Sequence, residues 1–406
     1  MNTLRRVALA SLTAVAWQHA TAAGADLFAP SWNVGKLTDA ERALAPTAFY
    51  DDPVPLTHGE PGSLVRFEPA TEYALPPGAS ATRILYHTRT AAGQDVIASG
   101  VVLVPYGVPP AGGWPLIAWA HGTSGVARSC APSLMRSLFY NWEGLYEYLM
   151  LGFAVVATDY AGLGTEGKHA YVDMLSNGTD VINSVPAAHA AVANLSSKWI
   201  AVGHSQGGLA SLGVAQLEAT ADDPGYLGTV ALAGASDLED LIDTTLAARL
   251  PVLNGLLAFG VYGFQAVYPQ LAAKTVLTAV ALEQYKAFIA DGCSAASGAF
   301  AAVPPGSMYR SDWKSDPYIQ KVLARNRPGA QPVRGPLLLI TGGADILFTP
   351  AASDKVLARL CHSGTSVRRS IYAGLGHDPL VYGSLMEQIS WIKARFSGEP
   401  SPSNCQ

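Results

Sequence analysis

One short stretch restricts this chain more than any other. From Trp199 to Gly213 it reads WIAVGHSQGGLASLG, a buried apolar run that ends at a glycine and passes through Ser205 directly into a helical pattern. A serine set between a strand and a helix in the G-x-S-x-G spacing occupies a sharp, strained turn that exposes its hydroxyl. Gly203 and Gly207 flank it because neighbouring segments must approach where a side chain would otherwise stand. The helix that starts behind it offers unpaired N–H groups and a positive dipole end. The pattern therefore asks for a sheet with helices packed on it, and the rest of the chain has to supply one.

It does so in a repeated rhythm. Apolar runs rich in Val and Ile cover Arg83 to Thr90, Val96 to Val104, Pro115 to Ala120, Phe153 to Thr158, Trp199 to Gly203, Thr229 to Ala233, Pro336 to Thr341 and Ser366 to Tyr372. The first two alternate in the manner of an antiparallel hairpin; the others are continuously apolar and separated by helical stretches such as Asp180 to Leu195 and Gln206 to Ala219, as a parallel sheet requires. The expectation is an α/β fold of the α/β-hydrolase kind, with a mostly parallel eight-stranded sheet. Residues 23–80, rich in Pro, Gly and Ala, read as an irregular arm. Residues 237–334 break the rhythm with helical patterns alone, and Leu246 to Tyr285 is unusually apolar. This stretch is expected to be a helical cap (lid) inserted into a core made of residues 23–236 and 335–406.

A serine hydroxyl is a weak nucleophile until a base removes its proton. In this architecture the acid and then the histidine follow the serine, the histidine in the loop after the last strand. Only His362 and His377 follow Ser205, and His362 precedes the last strand, so His377 in YAGLGHDP is the expected base. The expected acid is Asp345, which follows the buried strand and Gly342-Gly343 in PLLLITGGADILFTP; Asp237, after the preceding strand, is its rival, and Asp378 is too close in sequence to orient the imidazole. Acyl transfer also needs two donors for an oxyanion. One is expected from the backbone of Gln206, the other from Thr123, with Gly122 as the alternative, in WAHGTSG. His121 reads as an organiser of that loop, and Asp159 in TDYAGLGTEG as a structural carboxylate beneath the site.

Composition narrows the setting. Charged residues make up 14% of the chain, against about 25% in ordinary domains, and the net charge is −5 with no basic stripe, which argues against a nucleic-acid partner. Arg5 and Arg6, the apolar run Val7 to Trp17 and the Ala20-Thr21-Ala22 site read as a signal peptide over residues 1–22, and its removal takes the charge to −7. The mature chain is expected to be secreted, extracellular or periplasmic, with no integral membrane segment. In that compartment Cys130, Cys293, Cys361 and Cys405 are expected to form two disulfides, in any of three pairings. No Walker loop, HExxH or C-x-x-C is present, so neither cofactor nor metal is expected.

Five segments resemble the secretory lipase family of α/β-hydrolases, the group of the yeast lipase A type and bacterial exported lipases: HGTSGVARSCAPS, DYAGLGTEG, GHSQGG, GGADILFTP and GHDP. The resemblance runs from about residue 30 to the C-terminus. It implies a triad at Ser205, Asp345 and His377, a helical lid between the sixth and seventh core strands, and disulfides pairing Cys130 with Cys293 and Cys361 with Cys405. It also implies hydrolysis of acyl esters, from triacylglycerols to esters of short or bulky acids. The rival classes are a peptidase or amidase, which usually needs a charged anchor for a peptide terminus whereas residues 237–334 are poor in Glu and Arg, and a non-catalytic binding module, which would typically have lost a triad member.

Overall fold

The computed structural model describes residues 44–51, 58–138, 144–293, 300 and 302–405. The signal-peptide expectation lies outside them. Nine strands form one sheet in the order β1-β2-β3-β5-β4-β6-β7-β8-β9. They are β1 (Leu64–Ala70), β2 (Ser80–Arg89), β3 (Asp95–Val104), β4 (Trp114–Ala120), β5 (Ala154–Thr158), β6 (Leu195–His204), β7 (Tyr226–Leu232), β8 (Leu337–Gly342) and β9 (Val367–Tyr372). The first three pair antiparallel, β3 meets β5 antiparallel, and every pairing from β5 through β4 to β9 is parallel. All eight expected strands are present. The ninth, β1, corrects the reading of residues 23–80 as an irregular arm. Its sequence LVRFEPA carries Pro69 and two charges, a pattern that hides a strand and that an edge position tolerates.

Alternation along the strands sends side chains to two cores. Ile117 and Trp119 of β4 join Val202, Leu232 and Ile340 beneath α1 (Leu145–Met150) and two C-terminal helices. Leu116 and Ala118 face the other way, onto α2 (Met174–Ala191) and α3 (Gln206–Ala221), where Val181, Ala210 and Val214 close the layer. Both faces of the central strands are thus covered, as a parallel sheet needs.

Between β7 and β8 the described residues hold helices and no sheet strand: α4 (Leu238–Ala248), α5 (Asn254–Val267), the single-turn α6 (Ala273–Val276), α7 (Ala279–Asp291) and α8 (Pro317–Arg325). They build a third apolar cluster around Phe259, Phe264, Phe288 and Phe300, which reaches Tyr171, Met174 and Leu209 of the sheet-bearing part. The chain continues through α9 (Pro350–His362), α10 (Pro379–Gly383) and α11 (Leu385–Phe396). Two disulfides form, Cys130–Cys293 and Cys361–Cys405. The first ties the loop after β4 to the end of α7, where Val126 N also donates to Gly292 O (2.8 Å). The second fastens the C-terminal tail beside β9, with Asn404 N donating to Val367 O (2.7 Å).

Candidate active site

The elbow owes its shape to close packing. Ser205 has φ 58° and ψ −120°, a left-handed conformation that is costly for a residue with a side chain. Its N–H donates to Leu232 O (2.9 Å) and its carbonyl accepts from Leu209 N (3.1 Å), so β7 on one side and α3 on the other hold the turn. A Cβ on Gly203 would come within 2.1 Å of Gly207 O, and one on Gly207 within 1.8 Å of Ala120 O. Only glycine fits at either place. The turn delivers Ser205 to the C-terminal end of the parallel strands, where β8 and β9 also end.

There the three segments meet. His377 Nε2 lies 2.8 Å from Ser205 Oγ, and His377 Nδ1 lies 2.8 Å from Asp345 Oδ2. The other oxygen of Asp345 accepts from Leu347 N (2.8 Å) and Phe348 N (3.0 Å), which fixes the carboxylate plane. Asp345 and His377 are both buried, and the Phe348 ring lies nearly parallel to the imidazole, 5.6 Å away. Gly342 permits this approach, since a Cβ there would meet Leu375 O at 2.6 Å. Asp237 lies elsewhere: its carboxylate is bound by Arg359, with Arg327 Nε 3.6 Å away. His362 ends α9 at the surface. His204, His377 and Asp378 bring potential metal-ligand atoms within 4.8 Å of one another, but both ring nitrogens of His377 already face Ser205 and Asp345.

Gln206 is the first residue of α3, and an α-helix leaves its first N–H groups without an intrahelical partner. Gln206 and Thr123 border the same cavity as Ser205. The Thr123 hydroxyl bonds Tyr171 OH at 2.8 Å, and His121 Nδ1 donates to Gly122 O at 2.6 Å. Burial pushes His121 down to about 4, so its imidazole is neutral and serves the loop. Asp159 accepts from Ser133 N (2.8 Å), Ser133 Oγ and Ser99 Oγ (2.6 Å), tying the disulfide loop to β3; burial pushes its carboxyl up to about 6.

The cavity is narrow, about 50 Å³, and mostly apolar. Leu238 and Ile242 of α4, Leu257 and Phe264 of α5, and Leu347 and Phe348 after β8 make its walls, and none of the described residues lining it is charged. Residues that the sequence reading passed over are Tyr171, which hydrogen-bonds Thr123, and His169 with Asn177, which hold the Gln206 side chain. All three lie beyond DYAGLGTEG, which was read only for Asp159.

A secretory lipase family model matches residues 140–404. The chain belongs to the secretory lipase family. As a member it is an ester hydrolase of the lipase and esterase kind. A search of curated proteins finds no match by sequence. Among solved structures, Candida antarctica lipase A in its closed state is similar over 89% of each chain, at 18% identity and a TM-score of 0.71. The rice cell wall degrading esterase LipA from Xanthomonas oryzae is 19% identical over 83% of this chain and 98% of its own, with a TM-score of 0.66. A putative hydrolase from Legionella pneumophila reaches 0.67 at 18% identity, over 83% of this chain and 99% of its own. These likenesses establish the fold, a mostly parallel sheet with helices. No helix among the described residues is long and apolar enough to cross a membrane.

Proposed function

We propose that this member of the family is an exported serine hydrolase that cleaves lipid acyl esters through an acyl-enzyme on Ser205. His377 Nε2 takes the Ser205 proton as Oγ attacks the ester carbonyl, and Asp345 holds the proton on Nδ1 so that Nε2 faces the serine. The carbonyl oxygen, now an oxyanion, receives the backbone N–H of Gln206 and a second N–H from Thr123 or Gly122. Collapse expels the alcohol, which takes the proton from His377. Water, deprotonated in turn by His377, then attacks the acyl carbon and returns Ser205 and a carboxylic acid.

The observation that carries this reading is the hydrogen-bond chain from Asp345 through His377 to Ser205, 2.8 Å at each link, opening on an uncharged apolar cavity. Such walls suit a neutral acyl chain and penalise a charged one, which would lose its water without gaining a partner. Residues 237–334 act in this reading as a cap over the acyl site, with α4 and α5 as its walls, and residues 1–22 direct export. Ser205→Ala is expected to abolish hydrolysis of p-nitrophenyl esters while its circular dichroism and melting stay those of the parent. Turnover at the parental rate by that variant would overturn the proposal. A p-nitrophenyl series from acetate to palmitate would show whether the acyl chain is of lipid length.

A further inference from the structure

Residues 160–171, which lead from β5 toward α2, take no part in the chemistry proposed above, yet their rings stand beside the elbow. His121 and Tyr160 stack with centroids 4.4 Å apart, Tyr160 and His169 stack at 5.5 Å, and Tyr171 meets His169 edge-on at 6.3 Å. This ladder touches both residues proposed to supply oxyanion donors. Tyr171 OH bonds the Thr123 hydroxyl, and His169 Nε2 lies 2.8 Å from Gln206 Nε2.

The direction of each hydrogen bond around Gln206 follows from its neighbours. Asn177 Nδ2 donates to Ala170 O (3.1 Å), which turns Asn177 Oδ1 toward Gln206. Gln206 must then present its amide nitrogen, donating one hydrogen to Asn177 Oδ1 (3.1 Å) and the other to His169 Nε2. That nitrogen can accept only when the imidazole is neutral with its hydrogen on Nδ1, and Nδ1 faces Ala161 O at 3.3 Å. Burial keeps the ring neutral, pushing it down to about 3. Each of these donors has one acceptor, which fixes the Gln206 amide nitrogen toward His169 and Asn177, while Gln206 Oε1 is buried with no hydrogen-bond partner among the described residues.

We infer that His169 is a positioning residue for acyl transfer: by accepting from Gln206 Nε2 it holds residue 206, and with it the backbone N–H directed at the oxyanion. The inference rests on the reading of that N–H as an oxyanion donor. Because the oxyanion exists only on the way through the transition state, loss of the brace lowers kcat and leaves KM in place.

His169→Phe keeps a ring between Tyr160 and Tyr171 and removes the acceptor; His169→Gln returns a carboxamide oxygen close to the place of Nε2. With p-nitrophenyl butyrate, His169→Phe is expected to lose about tenfold in kcat, below the 10²–10³-fold of a deleted oxyanion donor. KM is expected to hold within about twofold, inhibition by an alkyl boronic acid to weaken in step with kcat, and His169→Gln to recover most of the loss. Should His169→Phe melt, Gln206→Met replaces it, removing the side-chain donors while the backbone N–H remains. A folded variant with parental kcat, or one whose loss falls on KM alone, overturns the inference. Parental turnover by Ser205→Ala is a different result: the ester-hydrolase reading itself then fails, and the inference falls with it.

Discussion

At the scale of single residues, the account depends on which atom of each side chain faces which. Asp345 Oδ1 accepts two backbone N–H groups, while Oδ2 faces His377 Nδ1. In Asp345→Asn the amide oxygen keeps the two backbone donors and the NH₂ turns to Nδ1. The imidazole is then forced into the tautomer with its hydrogen on Nε2, facing Ser205. We expect kcat to fall about 10⁴-fold with the fold intact, the loss seen for the same exchange in a serine-protease triad; stopped-flow assay beside a melting curve checks it, and a loss under tenfold would contradict it. That Ser205, Asp345 and His377 come together was legible in the sequence because each follows an apolar run, in an order that the strand–turn–helix context makes meaningful. Asp237 could be set second but not dismissed, since nothing in AGASDLED announces that Arg359 and Arg327 claim its carboxylate. His169 was illegible for a like reason: its role lies in a contact with Gln206 across the fold.

At the scale of elements, the decisive feature is how tightly β6, α3 and the end of β4 pack around the elbow. Gly207 has no space for a methyl group, because Ala120 O stands where a Cβ would lie. Gly207→Ala is therefore expected to cost about 3 kcal/mol or more, at the upper end of overpacking effects, as the carbonyl and the helix start are pushed apart. Urea unfolding measures it, and a change under about 0.5 kcal/mol, the size of an ordinary surface substitution, would contradict it. Central strands such as β5 and β8, buried at every position, were plain as continuous apolar runs. The edge strand β1 was not, because an edge tolerates charge and proline and so erases its own signal. The helices between β7 and β8 were visible as a break in the rhythm, whereas their packing into one cluster with Tyr171 and Leu209 depends on contacts that no local pattern records.

At the scale of the whole molecule, two disulfides join parts far apart in the chain, Cys130 to Cys293 across 163 residues and Cys361 to Cys405 across 44. The four cysteines alone left three pairings open, and the family resemblance pointed to the one that forms. In the chain-entropy view, closing the longer loop removes more freedom from the unfolded chain, about 5 kcal/mol against about 4. The double variant Cys130→Ser with Cys293→Ser is expected to lower the melting temperature more than Cys361→Ser with Cys405→Ser, by calorimetry without reductant. The opposite order would show that the clasp at β9 matters more than the link between the loop after β4 and the inserted helices.

The claim beneath all of this is that Ser205 carries the acyl group during turnover. Mixing the protein with a p-nitrophenyl ester, quenching in acid within the first turnover and mapping peptides by mass spectrometry tests it directly. The account predicts one acyl group on Ser205, and none on Ser205→Ala. An acyl group on another residue, or steady hydrolysis by Ser205→Ala, would contradict it.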